Sequence, residues 1–353
     1  MDLDKLQQSA NIHHNVQNKI LDFLENQNQN QINLFELKKF INNEIKNEFL
    51  NNNFNNNIDI RNNNYGIAFP TCLSVDNIAA HYSPNTDVYF DATKSILKID
   101  YGVHINGNII DSAFNYTKNE DLLLLDKYSI EATNLAIKEM KIDTNIYEIG
   151  SIIEEYINSL EININNINYQ LKSFEDLCGH KIGLYKVHDN IPFPNIDVYK
   201  RNIINKNVNY RLKDGDYFAI EPYLTTGNGK NVVIDEDINN NILLQDKKGK
   251  DFKIYNFNYH KVNNYTNIKK YIGTNVYKKL PKNIIKYIDK IQKKFNYLPF
   301  ELIDLPDNQI DNFKYLLEYD LFEQHGIIGD INGSYIAQTE KNVYINNCHT
   351  IVL

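Results

Sequence analysis

The stretch LKIDYGVHINGNIID, residues 97–111, constrains the fold more than any other. Its Asn106-Gly107 pair is among the strongest two-residue hairpin signals and favours a type I′ turn, in which both central residues have positive φ. With that turn, Ile105 faces Asn108 and Asp111 falls opposite Gly102. Asp100 lies two residues from Gly102, so it shares a face with Asp111 as its diagonal neighbour. Ile99, Tyr101, Val103, Ile110 and Phe114 collect on the other face and read as core. Glycine leaves the space between the acids open. Asp is unfavourable in strands, and two close carboxylates repel unless a cation lies between them. Two readings stay open from the hairpin alone: both acids point into water, or metal ions sit between them. A two-metal centre would suit the second reading, because its ions lie about 3.5–4 Å apart and share carboxylates.

Composition narrows the partners. The chain has 353 residues, a net charge of -8 and 42% hydrophobic content. An acidic chain without basic patches does not read as a direct nucleic-acid binder. No segment is long and apolar enough to span a membrane, and the N-terminus lacks the apolar stretch of a signal peptide. Cys72, Cys178 and Cys348 are scattered with no CxxC spacing, so neither a disulfide framework nor a thiolate zinc site is expected. A cytoplasmic location follows as the default.

The pattern alternates between helix and strand. Helical periodicity runs from about Asn15 to Leu50 through Val16, Ile20, Phe23, Leu24, Leu37, Phe40, Ile41 and Ile45. The Asn-rich NNNFNNNIDIRNNN, Asn51 to Asn64, reads as loop. Phe69-Pro70 is expected to end any strand there. Helices fit Tyr128 to Lys141 and Thr144 to Leu160, the latter with Ile149, Ile152, Ile153, Tyr156 and Leu160 on its buried face. Strands fit YFAIEPYL and GSYIAQTEKNVYI. Residues Leu280 to Leu321 read as helices broken by Pro281, Pro299 and Pro306. With no Pro/Gly/Ser-rich linker, one domain over 1–353 is expected.

If metals bind the hairpin, further ligands must come from elsewhere. GHKIGLYKVH offers His180 and His188, and Glu221 and Glu340 sit in apolar strand patterns where an unpaired carboxylate is costly. Each alone is as readily a surface acid or a core histidine. Together, Asp100, Asp111, Glu221 and Glu340 carry four negative charges that two divalent cations would neutralise. An oxygen-rich set with one imidazole suits Mn, Fe, Co or Zn.

The blocks AFPTCLSVDNIAAHYSPN, KIDYGVHINGNIIDSAF, GHKIGLYKVH, DYFAIEPYLTTGNG and GSYIAQTE, in this order, resemble type 2 methionine aminopeptidases over nearly the whole chain. The resemblance implies an α+β pita-bread (creatinase/aminopeptidase) fold: a curved antiparallel sheet flanked by helices, with a type 2 helical insertion at about 255–325. It implies that Asp100 chelates one of two divalent ions, that Asp111 and Glu340 bridge both, and that His180 and Glu221 bind the second. A metal-bridging hydroxide would attack the scissile carbonyl. His188 would stabilise the oxyanion, His81 would contact the scissile amide, and Glu221 would pass a proton to the leaving amine. Phe69 and Val187 would line the methionine pocket, with a further lining residue near Ile254 and Tyr255. The implied activity is removal of the initiator methionine from nascent polypeptides with a small second residue. A monomer and a transient ribosome contact are expected, the latter without the charged N-terminal extension of animal and fungal members. The chain departs from the family in FPTCLS for FPTGCS, and in His325 where a tyrosine is usual. The alternatives are a prolidase or aminopeptidase P-like hydrolase and a non-catalytic, proliferation-associated type of binding protein.

Overall fold

The computed structural model describes residues 1–27, 30–54, 59–201, 203, 209–232, 254–257, 278, 280–306, 310–319, 321–347 and 349–353. Part of the Asn-rich run, Cys348 and much of the expected insertion lie outside them.

Helix α1 (Leu3–Glu25) begins well before Asn15, because Leu6, Ile12 and Val16 continue the buried stripe and the Asp2 carboxylate caps Lys5 N. A short strand, β1 (Gln31–Asn33), then splits the expected helical span. Asn33 closes it and caps α2 (Leu34–Asn51), its Oδ1 accepting from Phe35 N and Glu36 N. The helices pack through Phe23 and Phe40, whose rings stack at 4.2 Å.

Strand β2 (Tyr65–Val75) is buried along its length and runs straight through Phe69-Pro70, contrary to the expected stop. Pro70 is tolerated because the register slips there. Phe69 pairs with Gly102 and Cys72 with Asp100, so an extra residue bulges out at the proline, which has no N–H to give the ladder. Strand β3 (Ile78–Ala80) follows a turn at Asp76, and β4 (Tyr89–Asp91) pairs with β1. Next comes the hairpin of β5 (Leu97–Ile105) and β6 (Asn108–Tyr116), in a sheet ordered β2-β5-β6. Its register is the one the turn parity requires, with Ile105 opposite Asn108 and Gly102 opposite Asp111. Asn106 and Gly107 both have positive φ, at 49° and 76°.

The space above Gly102 is not open, however. A Cβ built there would meet the Phe69 ring at 2.3 Å. Glycine is needed for the close approach of that ring from β2 and does not hold a gap between the acids.

Helix α3 (Glu120–Glu139) starts earlier than expected, at the Asn119 cap, and α4 (Ile146–Asn158) starts at the Asn145 cap. The face α4 buries is Ile146, Ile149, Ile153 and Ile157, while Ile152 is 36% exposed. The expected stripe was therefore turned too far round the helix. Strands β7 (Glu161–Ile164) and β8 (Ile167–Gln170) form a hairpin, followed by β9 (Lys172–Ser173), β10 (Gly179–Lys181) and β11 (Pro192–Phe193).

The segment YFAIEPYL divides into β12 (Tyr217–Ile220) and β13 (Tyr223–Thr225), since Pro222 cannot donate to a ladder. Strand β14 (Ile254–Phe257) precedes α5 (Lys282–Phe295) and α6 (Ile310–Leu317), and β15 (Phe322–His325) returns to pair with β14. Residues between these two strands form their own apolar cluster around Ile284, Ile288, Phe300 and Phe313. A buried Lys38–Glu301 ion pair at 2.9 Å ties it to α2.

After β16 (Ile328–Gly329), the last motif also divides, into β17 (Ile336–Gln338) and β18 (Lys341–Asn346), and β19 (His349–Val352) completes the described chain. The sheet orders are β11-β10-β12-β18-β19 and β17-β13-β9. Thus Glu221 and Glu340 stand where two neighbouring strands each leave one sheet for the other.

Candidate active site

Those twin breaks explain why two acids can occupy an apolar core. At a break the backbone leaves its ladder and the side chain is released toward the β5–β6 hairpin. Asp111, Glu221, Glu340 and His180 are each no more than 7% exposed. His180 Nε2 lies 3.3 Å from Glu221 Oε1 and 3.5 Å from Asp111 Oδ2. Ligand atoms of Asp111, His180 and Glu340 lie within 4.8 Å of one another. All of them, with Asp100, His81, His188, Phe69 and Val187, line one cleft of about 460 Å³. The structure therefore brings every expected site residue to the same place. A cleft of that size suits a small ligand or a peptide terminus.

The electrostatics are unbalanced. Among the described residues, no Lys or Arg lines the cleft. Burial and then mutual repulsion push Asp100, Asp111 and Glu340 well above the usual carboxylate range. Burial raises Glu221 to about 8, although hydrogen bonds from Tyr223 and Gln338 pull the other way. Burial lowers His180 to about 4, so at neutral pH its contacts with the acids are not ion pairs. Asp100 Oδ1 and Glu340 Oε1 are buried and have no hydrogen-bond partner. Unpaired buried oxygens beside a neutral imidazole, with no basic side chain lining the cleft among the described residues, fit a divalent cation: hard oxygens neutralise its charge and one nitrogen completes the set.

The supporting residues were not singled out from the sequence. Tyr223 OH donates to Glu221 Oε2 at 2.8 Å, and Gln338 Nε2 donates to the same oxygen at 3.0 Å. Asn342 accepts from Asp111 N at 2.7 Å and donates to Asp111 O at 2.6 Å. Each lies two residues from Glu221 or Glu340, so strand alternation applied to the acids would have found them.

Histidines form the upper wall. His81 has a left-handed φ of 67°, and its Nδ1 donates to Gly326 O at 3.1 Å. A carbonyl only accepts, so the proton is on Nδ1 and the Nε2 lone pair is left free. His325 sits with its ring 5.6 Å from that of His81 and bonds Asn256 Oδ1 through Nε2 at 2.6 Å. His188 lies against His180 at a ring separation of 4.2 Å, and burial holds it well below its ordinary pKa. Where one further lining residue was expected, Ile254 lines the cleft, while Tyr255 turns into the apolar cluster against Phe313.

A carboxylate-rich site suited to divalent cations thus sits on an α+β scaffold of antiparallel strands of the pita-bread type. The profile of metallopeptidase family M24 matches residues 4–240, and the chain belongs to that family. Methionine aminopeptidase 2 of Botryotinia fuckeliana (strain B05.10) is 32% identical over 295 residues, covering 81% of this chain and 57% of the relative. The Saccharomyces cerevisiae (strain YJM789) protein of the same name is 31% identical over 296 residues, covering 80% and 59%. The chain therefore spans less than two thirds of these relatives' length. Methionine aminopeptidase from Thermotoga maritima superposes with a TM-score of 0.57 at 13% identity, over 100% of this chain and 97% of the other. A thermophilic Arx1 gives 0.65 at 14% identity, over 98% and 88%. At such identities these two show the shared fold. No helix among the described residues is long and apolar enough to cross a membrane.

Proposed function

We propose that the protein is a dinuclear metal-dependent aminopeptidase that removes an N-terminal methionine preceding a small residue. The observation that carries this reading is the convergence of Asp100, Asp111, His180, Glu221 and Glu340, with His81 and His188, on one cleft that no Lys or Arg lines among the described residues. Two divalent ions, Co, Mn, Fe or Zn, would supply Lewis acidity toward the scissile carbonyl and an activated water. Asp100, Asp111, His180, Glu221 and Glu340 would hold them.

The chain's own groups then divide the work. Phe69 and Val187 offer an apolar slot for the methionine side chain. His188, kept neutral by burial, donates to the oxygen of the scissile carbonyl as charge develops there. His81, oriented by Gly326 O, presents its lone pair to the scissile amide. Glu221, fixed through one oxygen by Tyr223 and Gln338, is placed to carry a proton toward the leaving amine. The expected partners are nascent polypeptide N-termini, met by a monomer in transient contact with the ribosome.

Purified full chain reconstituted with Mn²⁺ or Co²⁺ is expected to cleave Met-Gly and Met-Ala peptides and to spare Met-Leu and Xaa-Pro peptides. Exclusive Xaa-Pro cleavage would assign it to prolidase-like hydrolysis. Absence of all cleavage by metal-loaded protein would leave a binding role.

A further inference from the structure

One buried lysine stands behind the cleft, its pKa lowered to about 7 by burial against the pull of the Asp76 carboxylate. Lys98 lies on β5 two residues before Asp100, on the same face of the strand. It is 1% exposed, although lysine is among the residues least often buried. Its ammonium donates to Asp76 O and to Ile336 O, both at 2.9 Å. Asp76 O also accepts from Ile336 N at 3.0 Å, and Asp76 Oδ1 accepts from Ile96 N at 3.0 Å. Asp76 itself has a left-handed φ of 48°. Three segments are thus joined at one point: β5 with the residue before it, the turn between β2 and β3, and the start of β17.

Each joined segment leads into the site. Strand β3 runs from that turn directly into His81. Strand β17 carries Gln338, which holds Glu221, and ends just before Glu340. Strand β5 carries Asp100. Lysine suits this junction because its three N–H groups can serve carbonyls from different strands at once. The backbone already joins Asp76 to Ile336 through Ile336 N–H, and Lys98 adds the tie from both carbonyls to β5.

We propose that Lys98 is a positioning residue: its ammonium, bridging Asp76 O and Ile336 O, sets the spacing of Asp100, Glu340 and His81 around the metal-binding cleft. The proposal rests on the reading of that cleft as the catalytic site. Lys98 does not line the cleft, so its action is through these strands.

The test compares Lys98→Met, which keeps the length but removes every donor, with Lys98→Gln, which keeps an N–H donor without the charge. The full chain is stripped of metal and titrated with Mn²⁺ by calorimetry, assayed on Met-Ala peptide after reloading, and followed through thermal unfolding. In folded Lys98→Met, kcat is expected to fall on the order of tenfold with KM within about twofold, and Mn²⁺ affinity to weaken on the order of tenfold, the range that lost second-layer support usually produces. Lys98→Gln should lie between it and the wild type. A merely structural lysine would lower the melting temperature and leave kcat per folded molecule and Mn²⁺ affinity unchanged, and that result overturns the proposal. If Lys98→Met does not fold, Lys98→Gln decides by the same two readouts. If the wild type itself fails to cleave, the proposed activity is lost, while the Mn²⁺ affinities still decide the role of Lys98.

Discussion

Asp111→Asn is expected to lower kcat/KM by roughly 10³-fold or more, a loss of about 4 kcal/mol in transition-state stabilisation. The substitution keeps the shape of the side chain and the backbone bonds to Asn342, so the fold is not the target. What it removes is a negative charge at the centre of the cluster, where Asp111 faces His180 and shares a 4.8 Å neighbourhood with Glu340. A neutral amide offers one weak oxygen to a cation and cannot be shared by two. The same change has the opposite effect on the metal-free protein. There, Asp111 is one of several buried acids that raise one another's pKa, and removing it relieves repulsion. Thermal unfolding at pH 8 should therefore show the variant more stable than wild type in chelator and less stable in saturating Mn²⁺. A variant with wild-type turnover, or with the same shift under both conditions, would remove Asp111 from the metal site.

The hairpin that holds Asp111 was the most legible part of the chain. Asn106-Gly107 sets the turn, the turn sets the register, and the register sets which face each acid occupies, all within fifteen consecutive residues. What occupies the space over Gly102 was not legible, because it depends on strand β2 and on bulges that move Phe69 onto the glycine. The two glutamates were found as acids in apolar strands, but their strands read as continuous. Only the pairing of β12 with β18 and of β13 with β17 shows why both chains break at the acid. A proline marks the first break, and no residue type marks the second. Ile254 and His325 meet through β14–β15 pairing across a long intervening segment, which no local pattern reports. Lys98 lay in plain view beside Asp100 and was passed over, because a lysine in a strand pattern reads as solvated until its burial is known.

The stability of the protein is expected to depend on pH with opposite signs in the metal-free and metal-loaded states. In chelator, Asp100, Asp111 and Glu340 hold protons well above the usual carboxylate range and Glu221 up to about 8. For an acid whose folded pKa is raised, the associated stability is complete below the unfolded value and is lost as pH rises through the folded value. The buried histidines act in another window. His180 is lowered to about 4 and His325 to about 3, so each begins to oppose folding only as pH falls below about 6.5, where the unfolded imidazole takes up its proton. Between pH 6.5 and 8 the carboxylates are opposed by one group, Lys98, which burial lowers to about 7: above that value the folded chain gives up a proton that the unfolded lysine keeps, so stability rises with pH and offsets about one carboxylate. The chelated protein should lose stability by about 1.4 kcal/mol per pH unit for each further proton that the folded acids hold and the unfolded chain has released. For a chain of this length that is on the order of 5 °C in melting temperature across the window. With saturating divalent ion the sign reverses. Cations hold the same carboxylates ionised, protons now compete with metal, and stability rises with pH over the same interval. Two melting series, one in chelator and one in Mn²⁺, should cross. Parallel series would mean that the buried acids are balanced by something other than a divalent cation.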